Sequence, residues 1–133
     1  MEINRSFLAK LLLFDGIATG LPCVVISALG YKVGPFIGIP TQYVTVKFGV
    51  IAVYGCSLAY SMLTRSNASR TQVICAAAAN IVFAAETLYA YSTGKLNGLT
   101  WLGKQMMGSL AVGGIIFPYL MWQGWLNQQA KIA

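Results

Sequence analysis

The stretch Thr71–Tyr91, TQVICAAAANIVFAAETLYAY, decides the fold. As a helix rising about 1.5 Å per residue it is long enough to cross the roughly 30 Å hydrocarbon core of a bilayer. In hydrocarbon every backbone N–H and C=O needs a partner within the protein, so a spanning segment is a helix or a strand of a closed barrel. Barrel strands alternate lipid-facing apolar residues with lumen-facing polar ones. The run Cys75-Ala-Ala-Ala-Ala79 does not alternate, and alanine is the strongest helix former. The stretch therefore reads as a helix.

Three more windows share its character: Phe7–Leu29, Tyr43–Leu63 and Leu102–Trp125. The connections between them are short and rich in turn residues. Gly30–Gln42 contains Gly30, Gly34, Pro35, Gly38 and Pro40, Thr64–Arg70 contains Ser66, Asn67 and Ser69, and Ser92–Trp101 contains Gly94, Asn97 and Gly98. Glycine and proline punctuate helices, and short connections make successive helices antiparallel neighbours. The expected fold is all-α, a single domain over residues 1–133, built as an integral membrane bundle of four antiparallel transmembrane helices.

Composition agrees. Of 133 residues 57% are hydrophobic and 9% charged, with nine Lys+Arg and three Asp+Glu. A soluble domain carries about 25% charged residues, so these few cannot coat a water-soluble globule. Disorder is excluded as well, because it requires low hydrophobicity and high charge.

Basic residues near span ends set orientation, cytoplasmic loops holding the excess. Arg5, Lys10, Arg65, Arg70 and Lys131 fall on the side of the N-terminus. The opposite loops hold Lys32 and Lys95, with Lys47 and Lys104 in the adjacent helix turns. The count favours N-in, C-in. Tyr31, Tyr43, Tyr89, Tyr91 and Trp101 then ring the outer surface, and Phe7, Trp122 and Trp125 the inner one, the level favoured by rings with one polar edge. Asp15 interrupts the first apolar run, which also outlasts a signal-peptide core of about 7–15 residues, so an uncleaved span is expected.

Charged groups inside spans need partners, because an ionised side chain at the bilayer centre costs about 2.5–3.5 kcal/mol. Counting residues places Lys47 about 6 Å, Lys104 about 3 Å and Glu86 about 7–8 Å below the outer ends of their helices. Glu86 is expected to pair with Lys47, Lys104 or both; the competing reading has the lysines snorkelling to the interface. Asp15 lies about 12 Å into the first helix and Asn80 at a similar depth in the third. A hydrogen bond between them would fasten the two helices, or the carboxylate would serve as a proton or cation site. Gly16-x-x-x-Gly20 and Ser109-x-x-x-Gly113 have the small-residue spacing that lets helices approach closely. Pro118 deprives the Gly114 carbonyl of its helical partner, so a kink is expected there.

Much chemistry is missing from the sequence. It has no histidine, and so no His-ligated haem or zinc and no Ser-His-Asp triad. Glu2, Asp15 and Glu86 are too few and too scattered for a carboxylate metal cage. Cys23, Cys56 and Cys75 lie inside spans without C-x-x-C spacing and read as small hydrophobes. No phosphate-binding glycine loop is present. The net charge of +6 is dispersed over both surfaces, which suits anionic lipid better than nucleic acid. Asn67-Ala-Ser69 fits a glycosylation sequon, but on the cytoplasmic side it is read as a chance match.

No catalytic residue, metal or evident cofactor is therefore expected, and an enzyme acting on a lipid or quinone ranks last. The favoured reading is a non-enzymatic accessory or structural subunit in membrane lipid. It would pack against other subunits or itself, with lipid, quinone or pigment free to lie on its outer faces. A bacterial inner membrane is favoured over an organellar one. The alternative is a small proton- or cation-coupled transporter or channel using Asp15 or Glu86. In length, helix number and an acid in the first helix the chain is similar to small multidrug exporters, although their aromatic–glycine motif around the acid is absent.

Overall fold

The computed structural model describes residues 5–132, with side chains to residue 130; Glu2 and the side chain of Lys131 fall outside this range. Five helices follow in order: α1 (Phe7–Ala28), α2 (Gly30–Ile37), α3 (Thr41–Met62), α4 (Arg70–Ser92) and α5 (Trp101–Ile132). There is no strand among the described residues. The four long helices are each apolar and long enough to cross a membrane.

Two boundaries differ from the sequence reading. Gly30–Gln42, expected as a loop, contains the two-turn helix α2. Gly30, Gly34 and Ile37 recur at i, i+4 and i+7 and are the buried residues of α2, so its glycines are contact positions as well as breakers. Gly38 ends α2 in the left-handed conformation (φ 78°), donating to the Gly34 carbonyl at 2.9 Å. That conformation suits glycine. The second difference is at α5, which runs past Trp125 although the apolar window closes there. Gly124 lies against Leu8, and Gln128, buried, donates through Nε2 to the Ala68 carbonyl at 3.0 Å. A polar residue with a partner can extend a helix beyond its apolar stretch. α5 also continues through Pro118 without a break.

Local signals fix the helix starts. Ser6 caps α1, accepting from Ala9 N at 3.2 Å. Ser69 and Gln72 form a reciprocal capping box at the start of α4, at 2.9 and 3.2 Å, satisfying N–H groups that a helix start leaves unpaired.

Contacts establish the topology. α1 runs antiparallel to α3, with Gly16 at Ala59, Gly20 at Cys56 and Ser27 at Thr45. α3 runs antiparallel to α4, with Tyr43 and Lys47 at Glu86, Tyr54 at Asn80 and Ser61 at Gln72. α4 runs antiparallel to α5, where Gly114 meets Ala84 and Gln128 meets Ala68. The backbones of α1 and α3 approach closely. A Cβ at Gly16 would stand 2.6 Å from Ala59 N, and one at Gly20 would stand 2.7 Å from Cys56 N.

The apolar core has two parts. One gathers Leu8, Leu12, Leu58, Met62, Val73 and Met121. The other gathers Ile37, Val44, Phe48, Ile51, Ala90 and Met107. Asp15, Tyr54 and Asn80 lie between them along the chain of each helix, and Lys47, Glu86 and Thr87 border the second.

Candidate functional site

Two polar clusters interrupt the apolar interior. In the first, Asp15 of α1 is wholly buried (0% exposed). Its Oδ2 accepts from Tyr54 Oη of α3 at 2.5 Å and from Asn80 Nδ2 of α4 at 3.0 Å. Asn80 Nδ2 also lies 3.1 Å from Tyr54 Oη and 2.9 Å from the Ala76 carbonyl, so its two N–H groups are shared among three acceptors. Thr19 Oγ1 donates to the Asp15 carbonyl one turn away at 2.6 Å. Asp15 Oδ1 is buried and has no hydrogen-bond partner. The only ion pair among the described residues is elsewhere, so no cation balances this carboxyl.

In the second cluster Lys47 of α3 forms that ion pair with Glu86 of α4. Its ammonium also donates to Thr87 Oγ1 at 2.8 Å, and the Thr87 hydroxyl donates onward to the Phe83 carbonyl at 2.8 Å. Tyr43 Oη is 3.0 and 2.9 Å from the two Glu86 oxygens. Lys47 is buried while the Glu86 side chain is 42% exposed. The carboxylate therefore lies at the edge of a cavity of about 310 Å³ lined by Tyr43, Val46, Lys47, Val50, Val82, Phe83, Glu86 and Lys95.

The structure thus brings Asp15 to Asn80 and Lys47 to Glu86. It does not bring Lys104 to Glu86. Lys104 is exposed on α5, beside Gln105, Gly108 and Ser109. The reason is angular: α4 meets α5 through Asn80 and Ala84, and Glu86, two residues on from Ala84, points about 200° away, towards α3. The two also differ in level: with Gly114 opposite Asn80 and Ala84 and Gln128 opposite Ala68, Lys104 stands beside the end of α4, about 9 Å along the axis from Glu86.

The glycine pairs divide in the same way. Gly16 and Gly20 face the backbone of α3, where Gly55 closes on Gly20 N. Ser109 and Gly113, expected as a packing pair, make no such contact within the chain. Ser109 is exposed, and the nearest neighbour of a Cβ at Gly113 is Phe117 of the same helix at 3.8 Å. The glycine of α5 that meets another helix here is Gly114, on Ala84 and the Asn80 carbonyl.

Sequence reading did not find Tyr54, and it assigned Tyr43 only to a surface ring. A tyrosine seven residues beyond Lys47 on the same helical face is the signal that was available for Tyr54. Tyr31, Tyr89, Tyr91 and Trp101 are exposed. Cys23 is buried, whereas Cys56 and Cys75 are exposed and all three thiols are free. Among the described residues no group of three or more His, Cys, Asp or Glu side chains could hold a metal ion.

Fold and polar clusters define an all-helical protein with four span-length helices and two interhelical hydrogen-bond networks, one buried and one open to a cavity. Compared with known protein families, curated proteins and solved structures, the chain has no significant match.

Proposed function

We propose that the chain is an integral membrane protein, N-in and C-in, acting without catalysis as a subunit that packs against other membrane helices. The observation that carries this reading is the open face of α5. Gly108, Ser109, Val112 and Gly113 border a shallow depression with Lys104 and Ile116, and a Cβ at Gly108 would find nothing within 4 Å. The glycines of α1, α2 and α3 all meet neighbouring parts of the chain, whereas this glycine-lined face of α5 is left for a helix from outside. Small residues favour such close approach in lipid, where apolar burial alone gives no drive.

The test is affinity purification in mild detergent with mass spectrometry of co-purifying proteins. Wild type should recover a larger assembly, and Gly113→Leu should lose it while keeping its own melting temperature. Recovery of wild type as a lone monodisperse species overturns the subunit reading.

Asp15 supports a second reading, a proton- or cation-coupled transporter. A wholly buried carboxyl with one oxygen unpartnered and no counter-cation is the arrangement in which an intramembrane acid marks an ion path. It predicts proton flux in liposomes that Asp15→Asn abolishes and Lys104→Ala leaves intact. Absence of flux with any cation tested removes this reading.

A further inference from the structure

The cavity between α3 and α4 has a chemistry that packing does not require. Its walls are Val46 and Val50, one turn apart on α3, with Val82 and Phe83 on α4. The three valines are more than half exposed, and α3 and α4 meet across this region through long polar side chains. At the mouth stand Tyr43 and Lys95. Lys95 Nζ lies 5.4 Å from the centre of the Tyr43 ring, and the side chain is exposed with no acid in ion-pair range among the described residues.

Charge decides what this groove accepts. Glu86 is in it, but both its oxygens take Tyr43 Oη and one also takes Lys47. Its charge is matched by Lys47, and Lys95 is the cation left over. A cationic ligand would meet two ammonium groups, and a neutral apolar one would gain nothing from Lys95, whose exposed ammonium is free to take an anion. An anion attached to a hydrocarbon chain satisfies both halves: the anion at a lysine beside an aromatic ring, the chain along adjoining valines.

We infer that the α3–α4 groove binds one anionic phospholipid, its phosphate at Lys95 beside Tyr43 and an acyl chain along Val46, Val50, Val82 and Phe83. The inference rests on the membrane reading above and is independent of the subunit role. Lys95 supplies the preference for negative charge, and the valine walls supply retention whatever the headgroup.

The test uses the full chain in mild detergent, with dioleoyl phosphatidylglycerol or dioleoyl phosphatidylcholine added at equal amounts and retained lipid counted by native mass spectrometry. Wild type should keep one phosphatidylglycerol about fivefold more often than phosphatidylcholine, as expected from one lysine acting on an anionic headgroup. Lys95→Glu should erase that preference. Lys32→Glu makes the same charge change on α2, away from the groove, and should preserve it. Val50→Trp fills the groove and should lower retention of both lipids. Equal retention of the two lipids by wild type overturns the inference, and so does an equal loss of preference in Lys32→Glu and Lys95→Glu, which is general surface attraction. Resistance to alkaline carbonate extraction from membranes reads insertion separately, so failure to insert is distinguished from failure to bind.

Discussion

Replacing Tyr54 by Phe deletes the 2.5 Å hydrogen bond to Asp15 Oδ2 and leaves the carboxyl to Asn80 alone. Stripping one partner from a buried polar group costs about 1–3 kcal/mol, so Tyr54→Phe should unfold at lower denaturant in detergent. An unchanged midpoint would show that Asn80 suffices. Glu86→Gln is expected to lower stability through Lys47, whose buried ammonium loses its counter-charge. Because Glu86 is 42% exposed, the loss should fall between exposed and buried pairs, about 1–3 kcal/mol. Lys104→Ala should change nothing, and an equal loss there would contradict the separation of Lys104 from Glu86. These residues also show what counting along a helix conveys. It gave levels well: Asp15 and Asn80 lie 3.0 Å apart, and Lys47 meets Glu86. It could not give direction around the axis, nor the offset of α5 against α4, which is why Lys104 lies both on another side and nearer the end of the bundle than Glu86. It also passed over Tyr54 and the inward role of Tyr43, since an amphipathic ring in an apolar segment reads equally as surface or interior.

Among the elements, the α1–α3 pair is set by backbone proximity. Gly16 and Gly20 meet Ala59, Cys56 and Gly55 with no room for a side chain. Gly20→Val must therefore push two backbones apart, an overpacking that costs about 1–3 kcal/mol or more, and thermal unfolding followed by circular dichroism should show it. Gly108→Val meets open space and should melt within about 0.5 kcal/mol of wild type, the range of harmless surface changes. A comparable loss at both sites would mean that helix propensity, not space, governs the response. The small-xxx-small spacing was legible in both α1 and α5, but spacing alone does not say whether a face meets its own chain. α2 was hidden for a related reason: glycine and proline mark turns statistically, while Gly30 and Gly34 here are buried contact residues of a helix. The four long helices were legible because an apolar run of about 20 residues leaves the backbone few alternatives.

At the scale of the molecule, the contacts sort the connections to two ends. Ser6 N donates to the Ser66 carbonyl at 2.8 Å and Gln128 reaches Ala68, so the start of α1, the α3–α4 connection and the end of α5 share one end. Thr100 N donates to the Ile37 carbonyl at 3.1 Å and Gly38 abuts Gly98, so α2 and the α4–α5 connection share the other. Arg5, Arg65 and Arg70 belong to the first end, and Lys32 and Lys95 to the second. If this charge difference orients the chain in a bilayer as the positive-inside rule predicts, the first end is cytoplasmic. The measurement is labelling of intact cells with a membrane-impermeant maleimide, in a chain whose Cys23, Cys56 and Cys75 are replaced by alanine or serine. A cysteine introduced as Asn97→Cys should label from outside, and one introduced as Asn67→Cys only after the cells are opened. The reverse pattern would invert the orientation while keeping the spans. Equal labelling of both positions in intact cells would mean that no bilayer separates the two ends, and the spanning arrangement would then have to be abandoned, whatever the hydropathy of the helices.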